Sequence, residues 1–362
     1  MTKPSKEKAS TSAEPGAIGQ DLIEAWARKH QVEFPTGEKV LWLTRVLRAI
    51  TVSEIGRDFA LIGGSAIVFL YRDMYRFSTD LDLDFVTNRN LGKKGKREVS
   101  ARQNRDKDIL EAIAQNLEMG FKITSEKADR FVQYELTYRS MYRRRDSVEL
   151  EISYRYGDSV LGTVAREWPI VQDEVAPAFK VVTLKEEELY ASKAIAMVDA
   201  KERLDFPDHI GLLTKRKIRH LFDIYLLARE VLDGEIKFDL QLFRDLVILF
   251  GMTRIGKFEY FRGNAIGSYT EADVKSELLS VVPRDLPVPS VEEMKWTVRK
   301  FFDRHVFNYT EREHRFMEDF RAGHFRPEDL FATASVARRL RDTQYYREIL
   351  GKVAPLRKPG SS

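Results

Sequence analysis

Apolar positions along the chain follow two rhythms, and the change of rhythm divides it. Between residues 21 and 50, Leu22, Ile23, Trp26, Val32, Leu41, Leu43, Val46, Leu47 and Ile50 fall in helical groupings. Pro35-Thr36-Gly37 is expected to break them into two helices. Phe59-Ala60-Leu61-Ile62 reads as a short strand, which runs into Gly63-Gly64-Ser65 and an apolar helix over 66–71. Residues 79–86 then alternate, with Leu81, Leu83 and Phe85 on one face and Asp80, Asp82 and Asp84 on the other. That period of two marks a half-buried strand. A helix is expected over 98–119 and strands over 121–124 and 131–138. Residues 147–154 alternate again and set Val148, Leu150 and Ile152 against Glu149, Glu151 and Ser153. After Pro177 the texture turns helical, with helices expected over 184–200, 216–231, 240–250, 271–279, 291–305, 311–321 and 327–350. The fold class is therefore α+β, a mixed head followed by a mainly helical C-terminal half. We divide the chain into a disordered tail (1–19), an α+β domain with N-terminal helices (20–180), a helical domain (181–354) and a second disordered tail (355–362).

Composition narrows the chemistry. The 362 residues contain no cysteine, which excludes disulfides, thiolate metal sites and a cysteine nucleophile. No apolar run approaches the ~20 residues of a membrane span, and the polar N-terminus lacks a secretory core segment, so a cytoplasmic protein is expected. A net charge of only +4 makes no global demand for a polyanionic partner, so basic surfaces must be read locally.

The strongest chemical signal is the strand, glycine turn, helix and acidic strand between Leu61 and Phe85. Glycines let a backbone pass close to a phosphate, and a helix N-terminus offers free N–H groups. Carboxylates two residues apart on one strand face repel each other unless a cation lies between them. Mg²⁺ takes such oxygen ligands and bridges substrate phosphates. The competing reading is an acidic strand face turned to water. Against it stand the preceding Gly-Gly-Ser turn and the second acidic strand carrying Glu149 and Glu151.

These residues resemble the nucleotidyltransferase fold of the polymerase-beta superfamily. Arg76-Phe77-Ser78-Thr79-Asp80-Leu81-Asp82-Leu83 more narrowly resembles the AbiEii/MenT-type toxins of type IV toxin–antitoxin systems. Leu189-Tyr190-Ala191-Ser192-Lys193 and Arg219-His220-Leu221-Phe222-Asp223-Ile224-Tyr225 support the same resemblance. It implies a mixed sheet with helices, and Asp80, Asp82 and Glu151 as ligands of Mg²⁺ or Mn²⁺. It further implies Gly64, Ser65, Arg76, Ser78 and Lys193 at the nucleotide, and Lys193 with Asp223 as an active-site pair. The implied reaction transfers NMP from an NTP to RNA, at the tRNA 3′ acceptor end, which blocks translation. A cognate antitoxin is the implied protein partner. Two positions depart from the family pattern: His220 replaces an acid, and Ala200-Lys201 stands where an arginine is usual, with Arg203 the nearest candidate. Asp82-Leu83-Asp84 also fits the local metal pattern, so the pair has two possible registers.

Three basic runs bear on the acceptor. Lys93, Lys94, Lys96 and Arg97 follow the acidic strand, with Arg102, Arg105 and Lys107 beyond them. Arg139, Arg143, Arg144 and Arg145 are interleaved with Tyr138 and Tyr142, and Lys215-Arg216-Lys217 precedes Arg219. Any one such run is more often a solvated face, but three of them near the expected site point to a phosphate backbone. The alternatives to an RNA-modifying enzyme are an antibiotic-type, small-molecule nucleotidyltransferase and an inactive RNA-binding protein. Gly251 to Phe258 nearly matches a P-loop, but Phe258 stands where a hydroxyl must reach Mg²⁺.

Overall fold

Seven strands join in one mixed sheet: β1 (Phe59–Ile62), β2 (Asp80–Phe85), β3 (Gly120–Lys127), β4 (Phe131–Tyr138), β5 (Asp146–Ser153), β6 (Thr163–Glu167) and β7 (Lys180–Leu184). Their order is β3-β4-β5-β2-β1-β7-β6. This is a computed structural model, and it describes residues 17–86, 95–127, 131–154, 159–172, 175–197, 218–235, 239–254, 266 and 269–354. β2 runs antiparallel to β1 and parallel to β5, and β7 runs parallel to β1. One end of the sheet therefore gathers the last residues of β1 and β7 and the first residues of β2 and β5.

Twelve helices surround the sheet among the described residues: α1 (Gln20–Lys29), α2 (Phe34–Val52), α3 (Gly63–Ala66), α4 (Gly95–Asn116), α5 (Glu186–Ala196), α6 (Ile218–Asp233), α7 (Leu240–Arg254), α8 (Glu271–Asp273), α9 (Val291–His305), α10 (Glu311–Arg321), α11 (Ala334–Arg341) and α12 (Gln344–Val353). The fold class is α+β, as the apolar rhythm predicts. The buried apolar residues form one continuous cluster from Ile18 to Val353. The expected boundary after residue 180 falls inside β7, and α5 follows that strand directly.

Some local expectations need correcting. The break between the first two helices lies at residues 30–33, where Gln31 takes a positive φ of 55°. Pro35 sits instead in the first turn of α2, where its missing N–H has no intrahelical partner to lose. The expected tail reaches residue 19, yet Ile18 is buried in the core, and residues 1–16 and 355–362 lie outside the described residues. The helix expected over 327–350 is broken into a 3-10 turn, α11 and α12, because the Thr343 hydroxyl accepts from the Tyr346 N–H and starts a new helix.

β6 and β7 have no counterpart in the sequence reading. β6 is an exposed edge, and β7 hides a polar residue: Thr183 is fully buried because its hydroxyl donates to the Leu61 carbonyl. An alternation count misses a strand whose inward positions include a hydrogen-bonded threonine.

In the helical part, Asp245 is 2% exposed, and burial pushes its carboxyl up to about 7. The hydrogen bond from Gln241 and the charge of Arg312 oppose that shift without cancelling it. Between the ordinary aspartate range and pH 7 the folded protein keeps a proton that the unfolded chain has lost. Stability therefore falls as pH rises through that window, by at most about 1.4 kcal/mol per unit. Asp245→Asn is expected to melt higher than wild type at pH 8 and level with it near pH 4. Parallel melting curves across this range would refute the assignment.

Candidate active site

The glycine pair makes room for the side chains of Asp82, Arg76 and Ser78. Gly63 has a φ of +68°, and a Cβ there would lie 2.1 Å from Asp82 Oδ2. A Cβ on Gly64 would lie 2.8 Å from the Arg76 guanidinium and 3.2 Å from Ser78 Oγ. Ser65 is fully buried, and its hydroxyl donates to the Asp80 carbonyl at 2.6 Å. The turn is thus fastened to the start of β2. Gly63→Ala combines left-handed backbone strain with a clash against Asp82, and is expected to cost roughly 2–3 kcal/mol. A melting temperature equal to that of wild type would mean that the turn absorbs the methyl group.

The sheet register sets the acidic face. Parallel pairing places Asp80 beside Glu149, Asp82 beside Glu151 and Asp84 beside Ser153. Burial along β2 alternates as expected: Leu81, Leu83 and Phe85 point into the core and the three aspartates are half-buried. Glu149 is exposed, whereas Glu151 accepts a hydrogen bond from Gln133 on β4. Asp84 lies further along the strand, away from Gly63. Among the described residues, no three acids or histidines close around a common point. Mg²⁺ is commonly held by one or two carboxylates, with phosphate oxygens and water completing its six positions. Asp80 and Asp82, hard oxygen donors on one face beside the glycine turn, fit such an ion.

Opposite these acids lies a buried cationic cluster. Asp223 on α6 is fully buried and receives two hydrogen bonds from Arg76, at 2.6 Å from Nε and 2.7 Å from Nη2. Tyr75 donates to Asp223 Oδ1 at 2.9 Å, and Lys193 Nζ on α5 lies 3.3 Å from Oδ2. Burial alone would raise the Asp223 carboxyl, but Arg76 and then Lys193 outweigh it and hold the group well below the usual range. Burial pushes the Lys193 ammonium down and Arg76 pushes it further, against the pull of Asp223 and Asp82. Two cations share one anion, so the cluster carries a surplus positive charge beside the aspartates. Arg219, one turn before Asp223, reaches Asp80 at 3.5 Å.

The structure brings together Asp80, Asp82, Gly64, Ser65, Arg76, Ser78, Lys193 and Asp223, with Glu151 one strand away. Sequence reasoning missed Tyr75 and Gln133. Neither carries a sequence signal, because each is defined by a partner distant along the chain.

The basic runs fare differently. Lys93 and Lys94, the side chains of Lys96 and Arg97, Ala200, Lys201, Arg203, Lys215 to Lys217 and the glycine-lysine part of the P-loop-like segment lie outside the described residues. β2 ends at Phe85, at the sheet end away from Gly63. Arg102 pairs with Asp58 and Asp106, and Arg105 pairs with Glu54. Arg139, Arg143, Arg144 and Arg145 are exposed on the β4–β5 turn. Their interleaved aromatics do not form a stacking platform. Tyr138 is buried against Trp42 with ring centroids 4.9 Å apart, and Tyr142 packs on Phe34. Gly251 lies within α7, where a P-loop would need a preceding strand.

No helix among the described residues is long and apolar enough to cross a membrane. No curated protein matches the sequence. A family model described as "Nucleotidyl transferase AbiEii toxin, Type IV TA system" matches residues 45–358. Among solved structures, the chain resembles MenT4, a nucleotidyltransferase toxin from Mycobacterium tuberculosis H37Rv, with a TM-score of 0.56. Sequence identity to it is 16%, over 94% of this chain and 100% of that one.

Proposed function

The chain belongs to the AbiEii nucleotidyltransferase toxin family of type IV toxin–antitoxin systems, and we propose that it transfers NMP from an NTP to RNA, at the tRNA 3′ acceptor end, so blocking translation. The observation that carries this reading is the meeting of opposite charges at the Gly63 end of the sheet. Asp80 and Asp82 offer oxygen ligands to a cation, while Lys193 and Arg219 offer positive charge to phosphates on the same side. Phosphoryl chemistry requires such positioning and charge neutralisation more than covalent help.

Asp80 and Asp82 would hold Mg²⁺ or Mn²⁺, with Glu151 supporting Asp82 from the neighbouring strand. When bound, the ion neutralises triphosphate charge and favours in-line displacement at the α-phosphorus. Arg76 fixes the Asp223 carboxylate, and Asp223 fixes the Lys193 ammonium. Lys193 is 7% exposed, so its charge is weakly screened by water. Gly64 and Ser65 shape the turn against which the phosphates lie. Family membership implies a cognate antitoxin as the regulatory partner, and the reaction belongs in the cytoplasm, where charged tRNA is used.

Total RNA incubated with the purified protein, Mg²⁺ and each labelled NTP in turn tests the proposal. The expected product is label at the 3′ end of tRNA-sized RNA from a preferred NTP. RNA left unlabelled by all four nucleotides would overturn it.

A further inference from the structure

We infer that the turn between β4 and β5 is the docking surface for the acceptor's phosphate backbone. This rests on the RNA-transfer reading above and identifies where the RNA lies. Four of the seven turn residues, Arg139, Arg143, Arg144 and Arg145, are arginines, and all four are exposed.

Register fixes where the turn stands. β5 begins at Asp146, three residues before Glu149, which pairs with Asp80. At about 3.3 Å per residue, the turn rises about 10 Å beyond the level of Asp80, one strand over. It projects from the same sheet end as the glycine turn and the two aspartates. An RNA strand whose 3′ end enters the site would pass it within its last few nucleotides.

The turn is also rigidly built. Glu38 on α2 is 1% exposed, and its carboxylate accepts from the Ser140 hydroxyl at 2.6 Å and from the Met141 N–H at 2.8 Å. The Ser140 hydroxyl in turn accepts from the N–H groups of Tyr142 and Arg143. Tyr142 packs on Phe34, and Tyr138 on Trp42. A buried glutamate that clamps a surface turn holds the arginines in place before any ligand arrives, which lowers the ordering cost of binding. Arg143 is paired with Asp146 at 3.1 Å, with its side chain 60% exposed, so that contact is weak and exchangeable. Arginines suit phosphate because the planar guanidinium offers paired donors.

Binding of unlabelled bulk tRNA, without NTP, is compared for wild type, the triple variant Arg143→Ala/Arg144→Ala/Arg145→Ala and the corresponding triple lysine variant. Each is measured at several salt concentrations. The alanine variant is expected to bind more weakly and to show a log–log salt slope shallower by about 2, at ~0.7–0.9 per lost phosphate contact. The lysine variant should keep the wild-type slope, and NTP binding should be equal in all three. An alanine variant with wild-type affinity and slope would overturn the docking surface and leave the turn to an acidic protein partner. A lysine variant whose salt slope falls as far as that of the alanine variant would also overturn it, because its three charges are retained and a backbone contact would still release counterions. RNA labelling by wild type is followed in parallel. Labelling with unchanged salt slopes refutes the surface alone, whereas no labelling refutes the transfer reading on which it rests.

Discussion

Asp82→Asn is expected to reduce nucleotide transfer about a thousandfold while the protein melts close to wild type. The carboxylate faces the Gly63 turn so closely that a methyl group there would touch it, and it stands beside Glu151 in register. Asparagine keeps the shape and so respects that contact. What it removes is the charge that would bind a divalent cation. A lost metal ligand costs several kcal/mol of transition-state stabilisation, and about 1.4 kcal/mol is tenfold in rate. Folding should survive because removing one charge from a row of neighbouring acids relieves repulsion. Asp80→Asn should be equally damaging to transfer, and it also frees Arg219 from its 3.5 Å contact. Asp84→Asn is the control. It stands beside Ser153, further from the turn, and should leave most of the activity intact. Wild-type transfer by Asp82→Asn would remove the metal assignment. Loss of transfer in Asp84→Asn alone would shift the metal pair by two residues along β2.

The acidic strand was legible because its chemistry and its burial share one period. Leu81, Leu83 and Phe85 had to face inward, and that alone sets the aspartates on the other face. The same holds for β4 and β5, where alternation gives strand limits within a residue of those observed. Glycines were legible as a special turn, but the reason for them was not. From sequence they suggest space for a phosphate, whereas the close approaches are to Asp82 and Arg76. Pairings across long separations were beyond reach: Arg76 and Asp223 are 147 residues apart, and nothing local to either announces the other. Where burial is bought with a hydrogen bond instead of an apolar side chain, as at Thr183 in β7 and Glu38 in α2, the pattern reads as surface and misleads.

Asp223→Asn is expected to destabilise the protein by about 3–5 kcal/mol and to abolish transfer, because it leaves Arg76 and Lys193 as buried cations without their shared anion. That result alone would not separate a scaffold from a working part of the site. The double variant Arg76→Met/Asp223→Leu does. Replacing a buried ion pair by apolar residues of similar volume is often neutral for stability, so the double variant should recover most of the lost melting temperature. A deficit should remain, about 1 kcal/mol from the Tyr75 hydroxyl that loses its acceptor and a further part from Lys193, which stays buried without its anion. Transfer should not recover. Lys193 would still be buried with Asp82 alone left to pull on its ammonium, and burial would drive it towards the neutral form that cannot bind phosphate. The measurement is therefore a pair of readings on each variant, unfolding free energy and NTP affinity. Stability restored with NTP affinity still lost makes Asp223 a positioning residue that works through Lys193. If both readings return together in the double variant, the cluster is only scaffold, and the positive charge for the triphosphate must come from Arg219.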